Sequence, residues 1–300
     1  MTDKKQFEMR KNGLLVRAPA KLNLSLLVAG KRPDGFHNLE TIMAKINWYD
    51  EIILQKNAKP GIELICKGRY WAPQGAENLV YRACQKLLEG YKKNVGLKII
   101  LKKNIPAGTG LGSASSNAAA ALLGLNRLLK LNAKPAQLKK IAAELGSDVV
   151  FFLNGAMAFC TGRGEKIKKI KKIFNFKALL IIPDVTSSTK MVYANYKHDP
   201  ALYKCQSAQI KGLLRKNRID LIHRICANML QKSCFELYEG LTELKTAVES
   251  LGIRPLCLSG SGSAMFLILQ KQDLNKAAQF KQKITKKTNC NCLIVRNNRW

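Results

Sequence analysis

The stretch PAGTGLGSASSNAAAALLGLNRLL, residues 106–129, decides how this chain is read. Gly108, Gly110 and Gly112 fall on alternate positions; an alternating apolar segment at 97–102 precedes them and an Ala/Leu-rich helical run at 115–130 follows. Strand, glycines and helix in that order make an anion cradle. Glycine tolerates positive φ and leaves no Cβ between backbone N–H groups and a bound anion. The helix start adds unpaired N–H donors and the positive end of its dipole. Ser113, Ser115 and Ser116 add hydroxyls where phosphate oxygens would sit. Two commoner cradles are excluded. The Walker pattern GxxxxGK followed by Ser or Thr is absent, and GxGxxG fails because Ser115 stands at its third glycine position.

Working outward, residues 14–66 read as short strands at 14–17, 22–28, 39–47, 51–55 and 62–66, separated by Gly, Pro and Asp turn signals. A helix is predicted over 78–89, where Leu79, Ala83, Leu87 and Leu88 recur at helical spacing and Gly90 offers a stop. Further helices are expected at 135–145 and 148–153. After Lys177 the pattern restarts: strand 178–182, helical stretches near 190–196, 206–215 and 238–250, strand 263–269, helix 273–285 and strand 292–295. The expected architecture is α+β with a boundary within 171–176, dividing the chain into 1–172 and 173–300.

Composition narrows the function. With 300 residues, 47% hydrophobic and 24% charged, the chain can bury a sizeable core. No apolar run approaches the roughly 20 residues that span a bilayer, and the first dozen residues lack a signal-peptide core; a cytoplasmic protein without membrane association is expected. Nine cysteines are dispersed without a CxxC pair, and Cys290 and Cys292 are too close for usual zinc spacing, so packed thiols are expected and no protein metal ligand is assigned. The net charge of +31 fits either nucleic-acid binding or a basic surface that favours small anionic substrates. Its densest stretch, KIKKIKKIFNFK at 166–177, reads as a strand with a solvated face, then a loop. No nucleic-acid module accompanies it, so no specific nucleic-acid partner is expected. Oligomeric state stays open.

The loop PAGTGLGSASSNAA resembles the central motif of the GHMP kinases. Two more motifs of that superfamily match in order: Ala18-Pro19-Ala20-Lys21-Leu22-Asn23-Leu24, and Leu258-Ser259-Gly260-Ser261-Gly262-Ser263-Ala264. The resemblance implies a two-domain fold, an N-terminal ribosomal-protein-S5-like ATP-binding domain and a C-terminal ferredoxin-like domain. Segments 19–42, 77–79, 145–152, 161–165 and 183–193 further resemble the family that phosphorylates the 2-hydroxyl of 4-diphosphocytidyl-2-C-methyl-D-erythritol with ATP. A mevalonate- or homoserine-type kinase, or a basic nucleic-acid-binding protein on an inactive kinase fold, are the alternatives. The chain departs from the family pattern at Thr109, Ser113 and Ala114, each replacing a glycine, and at Phe36, where tyrosine is usual.

By that resemblance, ATP is expected on Pro106, Ala107, Gly108, Thr109, Gly110, Leu111, Gly112, Ser113, Ala114, Ser115 and Ser116, with Asn78 and Lys103 approaching adenine. Asp148 is the expected general base, although an Asp before a helical run also suits an N-cap. Lys21 is its expected partner, because an ammonium within an apolar strand needs a counter-charge. Phe36, His37 and Tyr193 are expected around the cytosine, and Asn23 near the erythritol hydroxyls. Mg²⁺ is expected with ATP, on phosphate oxygens and Ser115 or Ser116.

Overall fold

The computed structural model describes residues 4–170, 174–225 and 227–300. The first half is a seven-stranded sheet with helices on one face. In chain order it comprises β1 (Phe7–Arg10), β2 (Gly13–Lys31), β3 (His37–Asn57), β4 (Gly61–Gly68), α1 (Leu79–Gly90), β5 (Gly96–Lys103), α2 (Ser113–Leu128), α3 (Pro135–Leu145), α4 (Ser147–Phe152), β6 (Met157–Gly162) and β7 (Lys166–Lys169). The strand order is β1-β2-β3-β5-β4, with β6 also pairing β3 and β7 completing that side. All pairs are antiparallel except β4 with β5.

β2 and β3 are each one long strand where the sequence suggests two. Pro19 and Asp50 read as breaks, but Pro19 sits at an irregularity in the ladder and Asp50 lies inside β3, fully buried. Register shifts between Pro19 and Lys21, Asn23 and Ser25, and Val28 and Gly30 let β2 stay paired over 19 residues. A bulge breaks the two-residue alternation and re-aims the side chains beyond it. That is how Lys21 comes to face the helices while Ala20 and Leu22 pack on the opposite side. The small residues of α2 permit close docking: a Cβ on Gly124 would lie 2.6 Å from Val16 Cγ2 and 2.7 Å from Leu54 Cδ1.

The second half comprises β8 (Lys177–Ile182), α5 (Thr189–Ala194), α6 (Pro200–Arg215), α7 (Gln231–Leu237), α8 (Glu239–Glu249), β9 (Cys257–Leu258), β10 (Met265–Ile268), α9 (Ala277–Thr288) and β11 (Asn291–Arg296). Its antiparallel sheet has the order β11-β8-β10-β9. One core lies between α1–α4 and the first sheet. The other joins Leu22, Leu24 and Ile42 on that sheet's opposite face to the second sheet and its helices. Backbone bonds tie the halves: Leu26 N donates to Ala227 O at 2.7 Å, and Met229 N to Leu26 O at 2.9 Å. The halves therefore share a core instead of meeting across a linker. The expected boundary at 172/173 falls outside the described residues.

Short elements without a pattern of their own, β1, β6, α7 and β9, are not legible in the sequence. The expectation of packed thiols holds for Cys84, Cys160, Cys234 and Cys292, which are free and buried; it is corrected at Cys205, a free thiol that is exposed, and at Cys257, which is disulfide-bonded. Spatial proximity, which sequence spacing does not reveal, decides such a bond. Among the described residues no helix is long and apolar enough to cross a membrane.

Candidate active site

The glycine loop spans the end of β5 and the start of α2, and the second half of the chain clamps it. Gly108, Gly110 and Gly112 all have positive φ, 66°, 72° and 69°. Close approach adds a second constraint at Gly110: a Cβ there would stand 1.9 Å from the backbone oxygen of Ser259. Ser259 Oγ donates to Gly110 O at 3.1 Å, Ala264 N to Thr109 O at 3.1 Å, and Ser187 N to Gly108 O at 2.9 Å. The C-terminal glycine motif thus packs backbone to backbone against the central one. Gly112 caps α2 in the left-handed conformation, leaving the first N–H groups of the helix directed toward the loop.

Beneath the loop lies a polar network that the sequence does not announce. Asp50, fully buried, pairs with the Lys103 ammonium and accepts from Ser113 Oγ at 2.8 Å. It also accepts from Asn104 N at 2.6 Å and Ile105 N at 2.9 Å. Lys103 donates to Ser113 as well. Burial pulls the Lys103 ammonium below its ordinary pKa, and Asp50 opposes that. Lys103 lines the cleft, as expected of a residue near adenine, and its ammonium is at the same time committed to the loop's foundation. Asn78 also lines the cleft and is held in place by its own backbone contacts. Its Oδ1 accepts from Val80 N at 2.9 Å as the N-cap of α1, and its Nδ2 donates to Pro73 O at 2.7 Å. Asp50 carries no sequence signal of its own, since an acid between Tyr and Glu reads as a turn.

The loop forms one wall of a cleft of about 980 Å³. Residues 106–115, Lys21, Asn23, Phe36, His37, Asn78, Lys103, Asp148 and Tyr193 all line it; Ser116 does not. Ser116 is 1% exposed on the buried side of α2, a correction to its expected phosphate or metal contact. Lys21 Nζ lies 3.8 Å from Asp148 Oδ2 and donates to Asn23 Oδ1. Burial lowers the Lys21 pKa, and the Asp148 charge counters it. Asp148 stands in the first turn of α4, not at its N-cap, which is Gly146. Its side chain is 37% exposed against 4% for Lys21, so the carboxylate meets an incoming molecule while the ammonium stays in the wall. Asn23 Nδ2 donates to Thr41 Oγ1 at 2.8 Å, which fixes the amide oxygen toward Lys21.

Aromatic rings occupy one end of the cleft. His37 and Tyr193 have ring centroids 5.2 Å apart, tilted by 30°. Tyr196, unforeseen in the sequence, meets His37 edge-on at 6.0 Å. The Arg163 guanidinium lies 4.8 Å from the Phe36 ring centroid, and Phe36 is exposed. Burial lowers the His37 pKa, and electrostatic repulsion from the nearby Lys31 and His198 side chains lowers it further. At the other end, Trp71, Pro73, Leu79 and Leu101 make a more apolar wall. Among the described residues no cluster of three or more His, Cys, Asp or Glu could hold a metal.

A phosphate-type loop clamped between two halves, with a lysine–carboxylate pair beside it, defines a small-molecule kinase of the GHMP class. The models of the GHMP kinases N terminal domain and GHMP kinases C terminal match residues 78–156 and 210–289. The chain is 36% identical over 253 residues to a 4-diphosphocytidyl-2-C-methyl-D-erythritol kinase of Bacillus cytotoxicus, covering 84% of this chain and 87% of the relative. It is 36% identical over 269 residues to that of Prosthecochloris aestuarii, covering 88% and 92%. A crystal structure of 4-(cytidine 5'-diphospho)-2C-methyl-D-erythritol kinase superposes with TM-score 0.76 at 29% identity, covering 95% of this chain and all of that one. The homoserine kinase of Cytophaga hutchinsonii, at TM-score 0.75 and 21% identity, shares the fold. The chain belongs to the 4-diphosphocytidyl-2-C-methyl-D-erythritol kinase family of GHMP kinases.

Proposed function

We propose that the protein transfers the γ-phosphoryl group of ATP to the 2-hydroxyl of 4-diphosphocytidyl-2-C-methyl-D-erythritol, giving the 2-phosphate and ADP in the non-mevalonate route to isoprenoid precursors. The observation that carries this reading is the Lys21–Asp148 pair, 3.8 Å apart, between the glycine loop and the His37–Tyr193 rings. Asp148 accepts the proton of the attacking hydroxyl. A carboxylate is a weak base toward an alcohol, so its contribution depends on being held within hydrogen-bond reach while charge develops. Lys21 holds that carboxylate and stabilises charge on the transferring group. Asn23, tied to Lys21 and Thr41, orients the ammonium and faces the polyol.

The N–H groups around residues 108–115 cradle the phosphates. Adenine takes the apolar end by Trp71, Pro73 and Leu79, and cytosine the aromatic end. Ser115 and Asp148 line the cleft and would offer Mg²⁺ oxygen ligands beside those of the triphosphate. Bound there, the ion would neutralise phosphate charge.

The test is ADP release with the cytidyl substrate beside mevalonate and homoserine. Turnover with the cytidyl compound alone is expected. Equal or greater turnover of either other alcohol overturns the assignment.

A further inference from the structure

Lys21 and Lys45 are direct partners in the β2–β3 ladder. Directly opposed residues point to the same face of a sheet, here the face under α4. Lys21 reaches Asp148 in the first turn of that helix. Lys45 reaches its other end: Nζ donates to Phe152 O at 3.1 Å and to Asn154 O at 2.6 Å. The six-residue helix is therefore bracketed by two lysines from one rung of the sheet.

Lys45 is only 2% exposed, and both bonds from its ammonium go to backbone carbonyls. Burial pushes its pKa down to about 7. Burying an amine this completely is costly, and a methionine of similar length would fill the space without that cost. What Lys45 supplies instead is two directed donors to carbonyls that the end of a helix leaves unpaired. Its backbone adds to the junction: Lys45 N donates to Ala156 O at 2.8 Å, and Asn298 N to Lys45 O at 2.8 Å. The helix end, the entry to β6 and the C-terminal segment all meet at this residue.

We propose that Lys45 is a positioning residue for phosphoryl transfer, anchoring the C-terminal end of α4 so that Asp148 at its start is held against Lys21 and the substrate hydroxyl. The proposal rests on Asp148 acting as the base. So short a helix has only one internal turn, and releasing one end frees the other to tilt. Displacement of a reacting group by about 1 Å costs on the order of 100-fold in rate.

The test compares Lys45→Met, Lys45→Gln, Asp148→Asn and the Lys45→Met/Asp148→Asn double variant by steady-state kinetics and ADP calorimetry. Lys45→Met is expected to lower kcat by roughly 10–100-fold, with KM for both substrates and Kd for ADP within about twofold of wild type. Lys45→Gln, which keeps two N–H donors, should recover much of the loss, and it carries the test should Lys45→Met fail to fold. In the Asp148→Asn background, Lys45→Met should cost nothing further, because residues acting as a unit are non-additive. A folded Lys45→Met with wild-type kcat, or a full additional loss in the double variant, overturns the proposal. Wild-type turnover of Asp148→Asn would instead overturn the underlying assignment of the base.

Discussion

Asp50 and Lys103 form an ion pair buried beneath the glycine loop, and the same carboxylate accepts the hydroxyl of Ser113 at the start of α2 and the N–H groups of Asn104 and Ile105 at the end of β5. Both flanks of the loop are thus pinned to one side chain on β3. A buried carboxylate with this many donors is fully compensated, which is the condition under which such a group specifies a structure.

Removing its charge should therefore act on both fold and loop. Asp50→Asn leaves the Lys103 ammonium buried without a counter-charge, a change that costs about 3–5 kcal/mol. Urea unfolding should report that loss, and calorimetry should show weaker ADP binding in the fraction that folds. A variant with unchanged stability would mean that Lys103 finds water or another partner.

Gly110 makes a complementary case. Positive φ forbids a side chain there, and so does the 1.9 Å that would separate its Cβ from Ser259 O in the opposite half of the chain. Gly110→Ala should therefore lower the melting temperature and abolish ADP binding together, because the two glycine motifs can no longer dock. Loss of ADP binding at an unchanged melting temperature would show that the glycine serves phosphate approach alone.

Much of this site is legible in the sequence because its chemistry is local. Residues 106–115 fold around their own glycines, and the motifs carrying Lys21 and Asp148 are short and contiguous. What the sequence conceals depends on partners far along the chain. Asp50 is a turn residue by type and a strand residue by virtue of Lys103, 53 positions away. Asn78 and Lys103 line the cleft, but the helix start and the buried carboxylate that hold them there are invisible in their local sequence. Ser116 follows Ser115 in a helix, where a rotation of about 100° per residue turns it from cleft to core. Local propensity divides β2 at Pro19 because it cannot register a bulge that pairing sustains.

Lys45 predicts a pH dependence of stability. Its folded-state pKa is depressed to about 7, whereas an unfolded lysine keeps its proton to about 10.4. Between those values the unfolded state binds more protons, so stability rises with pH, by up to about 1.4 kcal/mol per pH unit. Lys21, its neighbour across the ladder, and Lys103 are also depressed by burial, so the wild-type slope is shared. Urea unfolding from about pH 6.5 to about pH 9.5 should show a steeper rise for wild type than for Lys45→Met. Parallel profiles would mean that Lys45 keeps its proton throughout.

On the proposed function the aromatic end of the cleft sets substrate choice, and three substitutions there test its parts separately. His37→Ala should raise KM for the cytidyl substrate and leave ADP affinity unchanged, since the ring stands beside Tyr193 at the end opposite Trp71. Because its pKa is lowered, His37 is neutral at pH 7 and presents one donor and one acceptor to a base edge. KM should accordingly be flat above neutrality and rise as acid protonates the ring. Phe36→Ala should weaken binding by about 1–3 kcal/mol if the ring stacks on the pyrimidine. It also removes the face over which Arg163 lies at 4.8 Å. Phe36→Tyr keeps that face and should be benign. A site built to pair with a base is left with unsatisfied groups when the base is missing, which penalises truncated substrates heavily. Methylerythritol phosphate lacking the cytidylyl group should therefore turn over far more slowly than the full substrate. Equal turnover of the two would reduce Phe36 and His37 to packing residues and move the origin of specificity elsewhere in the cleft.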